Sequence, residues 1–199
     1  IMNGYKYVPK ILMEQKDVIG DWSEIAVLAR TNAVLLSLKS SLYKHKIPCY
    51  FNGKDGIPRE IKLMCEYLKL IVDTSDDKAF LKVINTPLRY IGKATLNKIE
   101  EKARRRKLPL FDAAMYAVYP KDRCYGNMID FVEGIEHIRD YKYKNAASAL
   151  RSLIKKMNIA KAIKDQNKGN EDAYLDAMDN IESMVEEAKE YTDIREFIS

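Results

Sequence analysis

Beyond Pro58, apolar residues recur every three or four positions in one segment after another, the spacing of helices that each bury a single face. Ile61, Met64, Cys65, Leu68, Ile71 and Val72 form the first stripe, behind a proline suited to a helix start. Asp73 to Asp77 interrupts it. Phe80, Leu81 and Ile84 then begin a shorter helix, which Asn85-Thr86-Pro87 stops. Leu96, Ile99 and Ala103 share a face, and Pro109 opens a segment from Leu110 to Val118 that Pro120 closes. Further stripes lie at Met128, Val132, Ile135 and Ile138, and at Ala149, Leu150, Leu153, Ile154 and Met157. Lys168-Gly169-Asn170 reads as a turn with a cap. It precedes a long amphipathic helix carrying Tyr174, Ala177, Ile181, Met184, Val185 and Ala188.

The stretch before Pro58 has another rhythm. Ile25-Ala26-Val27-Leu28-Ala29 is a continuous apolar run of strand length, as expected for a strand buried on both faces. Asn32 caps a helix bearing Leu35, Leu36, Leu38 and Leu42, Ile47-Pro48 ends it, and Cys49-Tyr50-Phe51 reads as a second strand. Tyr5 to Leu12 is read as a further short strand. Strand, helix, strand is a piece of an α/β domain. The expected fold is therefore mostly α: a small α/β fragment over residues 1–57, then a helical subdomain over residues 58–199.

Composition narrows the class. The 199 residues are 47% hydrophobic and 32% charged, with mean hydropathy −0.37, which is ordinary for a globular protein. No apolar run approaches the roughly 20 residues of a bilayer span, and no signal peptide is visible. A cytoplasmic protein without membrane contact is expected. Cys49, Cys65 and Cys124 are too widely spaced for a zinc knuckle or a CxxC redox site, and His45 and His137 stand alone. No metal site is expected.

The net charge of +5 says less than its distribution. Residues 89–107 hold eight basic side chains against two acidic ones, whereas residues 171–199 hold ten acidic against two basic. The first segment suits a polyanion, and the second suits solvent or a protein partner.

Two segments carry candidate chemistry. Arg30 follows the apolar run of Ile25–Ala29, where open α/β sheets bind ligands. A guanidinium there can clamp a phosphate, and Thr31 and Asn32 open a helix whose free N–H groups also favour anions. The second segment is Thr86-Pro87-Leu88-Arg89-Tyr90-Ile91-Gly92-Lys93-Ala94-Thr95-Leu96, a turn between helices. The N–H groups of Gly92, Lys93, Ala94 and Thr95 lack intrahelical acceptors and suit one DNA phosphate, with Lys93 adding charge and Thr95 a hydroxyl. Arg89, Tyr90, Lys98, Arg104 and Arg105 extend the candidate DNA-binding set. Three readings remain open on the residues alone. The chain is part of a larger enzyme, a free-standing helix-hairpin-helix DNA-binding module, or a helical protein-interaction domain whose acidic last helix docks a partner.

Taken in order, Ile25-Ala-Val-Leu-Ala-Arg-Thr-Asn-Ala33, Ile47-Pro48-Cys49-Tyr50, Asn52-Gly53, Arg59-Glu60-Ile61-Lys62, Tyr67-Leu68-Lys69-Leu70-Ile71, Asp76 to Pro87 and Arg89 to Leu96 resemble the UvrD/Rep/PcrA family of superfamily-one DNA helicases. The resemblance is dense from residue 24 to about 100 and thinner beyond. It implies that residues 1–57 are part of a RecA-like motor subdomain (2A) and residues 58–199 a duplex-contacting subdomain (2B), cut from a longer protein. It implies an ATP-dependent 3′ to 5′ helicase using ATP and Mg2+. The partners would be single-stranded and duplex DNA, the remainder of the helicase chain, and proteins of DNA repair or replication. Arg30 would touch the γ-phosphate as the catalytic and sensing arginine, beside Thr31 and Asn32. Two positions depart from the family pattern. Ala29 stands where an aromatic residue stacks on adenine, and Tyr90 where a Gly-Ile-Gly hairpin has its first glycine. A tyrosine is strained if that place needs positive φ. The sequence has no GxxxxGK[ST] phosphate loop, so this chain alone is expected to hydrolyse no ATP.

Overall fold

The computed structural model describes residues 7–29, 32–50 and 57–198. The chain divides into two compact units, residues 1–58 and 59–199. The described residues form eleven α-helices and no strand.

In the first unit, α1 (Val8–Ile19) packs against α2 (Asn32–Lys44), with a 3-10 turn at Trp22–Glu24 between them. Of the segment Tyr5 to Leu12, read as a strand, Tyr5 and Lys6 lie outside the described residues, and Val8 to Leu12 are helix. Pro9 sits in the first turn of α1, where its missing N–H costs nothing, and Leu12 joins Leu38, Leu42 and Ile47 in a small core. Gly20 closes the helix in the left-handed region at φ 86°, its N–H on Lys16 O at 2.8 Å. Lys46 does the same beyond α2 at φ 57°, so that Ile47 N reaches back to Leu42 O at 3.0 Å.

Ile25–Ala29 does not become a buried strand. Ile25 is extended (φ −109°, ψ 122°), yet Leu28 is 93% exposed, and no ladder partner lies beside the segment among the described residues. Cys49 and Tyr50 are likewise unpaired, and Phe51 lies outside the described residues. Extended backbone becomes a strand only when a neighbour completes its hydrogen bonds.

The second unit runs α3 (Arg59–Val72), α4 (Asp77–Val83), α5 (Lys93–Arg106), α6 (Leu110–Ala117), α7 (Tyr125–Asp140), α8 (Ala146–Lys156), α9 (Ile159–Gln166), α10 (Glu171–Glu187) and α11 (Ile194–Ile198). The predicted stripes mark the buried faces, and α9 is an addition that the periodicity did not announce. The α3 helix has a wide buried face, because α4, α7, α10 and α11 all pack on it. Tyr67 and Leu70 are therefore as buried as Met64, Leu68 and Ile71. At the centre, the rings of Tyr67, Phe80, Phe111 and Phe131 meet with centroids 6.1–6.5 Å apart in tilted and edge-on pairs. Each such ring contributes about 1.5–3 kcal/mol by leaving water.

Caps fix where the helices start. Asp76 accepts from Ala79 N, Asn145 from Ser148 N and Asn170 from Ala173 N, each at 3.0 Å. Asp77 accepts from Leu110 N at 2.8 Å, which ties the start of α6 to α4. On the acidic face of α10, Glu182 pairs with Arg151 of α8 at 2.6 Å. No helix among the described residues is long and apolar enough to cross a membrane.

Candidate nucleic-acid interface

The turn between α4 and α5 is built from within. Its residues alternate: Leu88 and Tyr90 face outward, whereas Arg89 and Ile91 are buried. Arg89, one of the candidate DNA-facing residues, is only 7% exposed and points inward. Its guanidinium donates to Val83 O (3.0 Å), Ile84 O (3.1 Å) and the Tyr67 hydroxyl (2.8 Å), and it lies 4.7 Å over the Phe131 ring. Val83 and Ile84 end α4, where carbonyls lack helical partners and the helix dipole is negative, so an inward cation is matched to them. Tyr67 in turn donates to Thr86 O. Burial pushes its hydroxyl pKa up against the opposing pull of Arg89, which keeps it a neutral donor.

Asn85 sets the backbone of the turn, its Oδ1 accepting from Arg89 N at 2.8 Å and from Ile91 N at 3.4 Å. From the start of α7, Asn127 Nδ2 donates to Arg89 O at 3.2 Å. Tyr90 is pressed into the left-handed region at φ 60°, a conformation that costs a residue with a Cβ about 1–2 kcal/mol. Its exposed ring lies 4.1 Å from the guanidinium carbon of Arg123.

Gly92 leads into α5 with extended backbone (φ −84°, ψ 176°), and a Cβ built on it would meet nothing within 4 Å. The fold itself thus makes no demand for glycine at this position. Thr95 N and Leu96 N both turn back to Gly92 O at 3.0 Å, so the Thr95 amide leaves the expected phosphate-facing set. The amides of Gly92, Lys93 and Ala94 find no acceptor among the described residues, and all three residues are exposed. Such a group of aligned donors at a helix start suits an anion.

The basic run does not gather at one point. Arg104 lies near the same face of α5 as Lys93 but about 16 Å further along the axis, at 1.5 Å rise per residue. Lys98 and Arg105 share another face, and Arg105 is paired with Glu101 at 2.6 Å. Arg106 stacks on Tyr116 at 4.1 Å. The exposed basic groups therefore make a spread surface, not a pocket. Of the candidate nucleotide-facing residues, Arg30 and Thr31 lie outside the described residues, and Asn32 is the first residue of α2.

Sequence reasoning missed Tyr67, Asn85, Arg123 and Asn127. Each acts through a partner distant in sequence, except Asn85, whose cue was its place just past a helix end, where Asn often caps backbone N–H groups.

Comparison with known proteins adds kinship to this geometry. Residues 2–196 match the family described as the UvrD-like helicase C-terminal domain. The chain is 27% identical over 172 residues to the ATP-dependent DNA helicase Rep of Buchnera aphidicola subsp. Acyrthosiphon pisum, covering 82% of this chain and 27% of that protein. It is 25% identical over 196 residues to the ATP-dependent DNA helicase PcrA of Staphylococcus epidermidis, covering 96% of this chain and 27% of that protein. It is 36% identical over 110 residues to DNA helicase II of Escherichia coli, covering 54% and 15%. The chain spans about a quarter of the length of Rep and PcrA.

Proposed function

We infer the role of this chain from its kinship: it belongs to the UvrD-like helicase C-terminal domain family. On that premise the whole protein is an ATP-dependent DNA helicase moving 3′ to 5′ along a single strand, and this chain supplies two of its parts. Residues 58–199 are the 2B-type subdomain, and the turn before α5 holds the backbone of duplex DNA in the manner of a helix-hairpin-helix. Residues 1–57 belong to the RecA-like 2A subdomain, whose sheet is completed by strands from the rest of the protein. Ile25–Ala29 supports that last point: it finds no strand partner among the described residues, with Ile25 extended and Leu28 exposed.

One observation carries the reading. Three amides, at Gly92, Lys93 and Ala94, are unpaired among the described residues and belong to exposed positions, at a glycine that the fold does not need. A phosphate oxygen held there takes hydrogen bonds from fixed donors, and Lys93 adds charge. Such contacts position DNA without reading its sequence.

Arg30, with Thr31 and Asn32, is assigned to the γ-phosphate, where an arginine stabilises charge that develops during phosphoryl transfer. The described residues contain no group of three or more His, Cys, Asp or Glu side chains able to hold a metal, and the sequence lacks a phosphate loop. The groups that bind ATP and Mg2+ are therefore assigned to the remainder of the protein.

The test is titration of the 199-residue chain with blunt and forked duplex DNA over a range of salt. Salt-sensitive binding that falls when Lys93 and Thr95 are both replaced by alanine is the expected result. Binding that is indifferent to both substitutions at low salt would sink the assignment.

A further inference from the structure

A second element faces the same surface. The loop between α6 and α7 is pinned by Asp122, whose carboxylate accepts from Tyr119 N at 2.8 Å and whose amide donates to Tyr119 O at 2.8 Å. That closed turn spends the nearest acid on backbone and sends the next residue, Arg123, outward. Its guanidinium comes to rest on the exposed ring of Tyr90. The Asn127 amide, on α7 just beyond the loop, donates to the Arg89 carbonyl. Two contacts from the loop and the start of α7 therefore reach two successive residues of the α4–α5 turn.

Stacking uses the face of a guanidinium and leaves its N–H edge unspent. The other arginines of this unit include several that have lost their donors. Arg89 is bonded inside the fold, Arg105 to Glu101, Arg139 to Asp140 and Arg151 to Glu182. Arg123 has no ion-pair or hydrogen-bond partner among the described residues. Its charge is held in one orientation by a ring that itself sits two residues before the Gly92 amides.

We propose that Arg123 is a DNA-phosphate contact of the interface described above, and that Tyr90 is the positioning residue that holds it. This rests on the reading of the Gly92 turn as a duplex contact. The turn amides take one phosphate, and the Arg123 fork takes a neighbouring one with parallel N–H···O bonds. The tyrosine at a position of positive φ thereby has a use: a glycine would relieve the backbone but leave Arg123 without a platform.

The experiment is binding of the 199-residue chain to blunt duplex DNA, followed by anisotropy across a salt series. Arg123→Gln is expected to weaken binding about five- to tenfold at low salt and to lower the slope of log affinity against log salt by about one phosphate contact. Tyr90→Ala is expected to produce a several-fold loss, and Tyr90→Phe, which keeps the ring face, to rescue most of it. The Tyr90→Ala/Arg123→Gln double variant should bind no worse than Arg123→Gln alone. Wild-type affinity and slope in Arg123→Gln, with binding still lost in Lys93→Ala/Thr95→Ala, overturns this proposal and leaves the Gly92 reading standing. A wild-type chain with no salt-sensitive duplex binding overturns both.

Discussion

The Arg89 guanidinium donates to the Tyr67 hydroxyl across 2.8 Å, joining the turn before α5 to the middle of α3. Both groups also serve the last carbonyls of α4 and the turn that follows it, so neither can be removed alone without stranding the other.

Arg89→Ala should cost about 3 kcal/mol or more, because each hydrogen bond from a charged donor is worth about 1.5–3 kcal/mol. Arg89→Lys should recover little, since an ammonium cannot reproduce the planar fork. Urea unfolding measures both. A loss within about 0.5 kcal/mol, the range of ordinary surface changes, would contradict the inward placement.

Tyr67→Phe should cost about 1–3 kcal/mol by leaving Thr86 O and an Arg89 donor unpaired. It should also change the alkaline limb of stability. Burial raises the Tyr67 pKa above its ordinary value of 10.0, so its contribution is complete below that pH. Above it the unfolded chain ionises first, and stability falls as pH rises toward the native value. Stability curves between pH 9 and about 11 should therefore be flatter for Tyr67→Phe than for the parent chain. Parallel curves would remove the argument.

Asn85→Ala should cost about 1–3 kcal/mol, because two buried turn amides lose their acceptor. Asn85→Asp keeps an acceptor in place but sets a negative charge beside the amides proposed to hold a phosphate. It should retain more of the stability and still weaken duplex binding, most at low salt. Affinity unchanged at low salt would mean that DNA does not approach this side of the turn.

Tyr90→Gly should change stability by less than about 1 kcal/mol. Relief of about 1–2 kcal/mol of left-handed strain is offset by glycine's extra unfolded freedom, about 0.5–1 kcal/mol, and by a lost cation–π contact of similar size. A large destabilisation in thermal melts would show that the ring, not the backbone, dominates at this residue.

Phe131→Ala should cost about 3–5 kcal/mol. Its ring touches those of Tyr67, Phe80 and Phe111 and lies beneath Arg89, so the cavity has little means of closing. A near-neutral melt would mean that the four-ring centre repacks freely.

Much of the helical order was legible because it is written in near neighbours. The stripe Met64, Leu68, Ile71 and the cap Asn170 are read from spacings of three or four residues, and the structure places them as that spacing requires. The Gly92 turn was legible as a helix start for the same reason. What escaped depends on distant partners. Arg89 looks like one more cation in a basic run, because its acceptor on Tyr67 lies 22 residues away and its carbonyl acceptors carry no side-chain signature. Tyr90 and Arg123 are separated by a whole helical hairpin. The Ile25–Ala29 run has the composition of a buried strand, but composition says nothing about whether a neighbouring strand is at hand. Val8 to Leu12 does not look helical on its own, because too few residues show before the helical period becomes apparent.

The Asn127 bond to the Arg89 carbonyl closes a circuit: the turn is gripped on its inner side by Arg89 and on its flank by α7. A pull on anything held at Gly92 is therefore met by helices rather than by a slack loop. If the proposed phosphate contact holds, force delivered along a DNA backbone would reach the aromatic centre with little give, and the turn would serve as an anchor point for leverage.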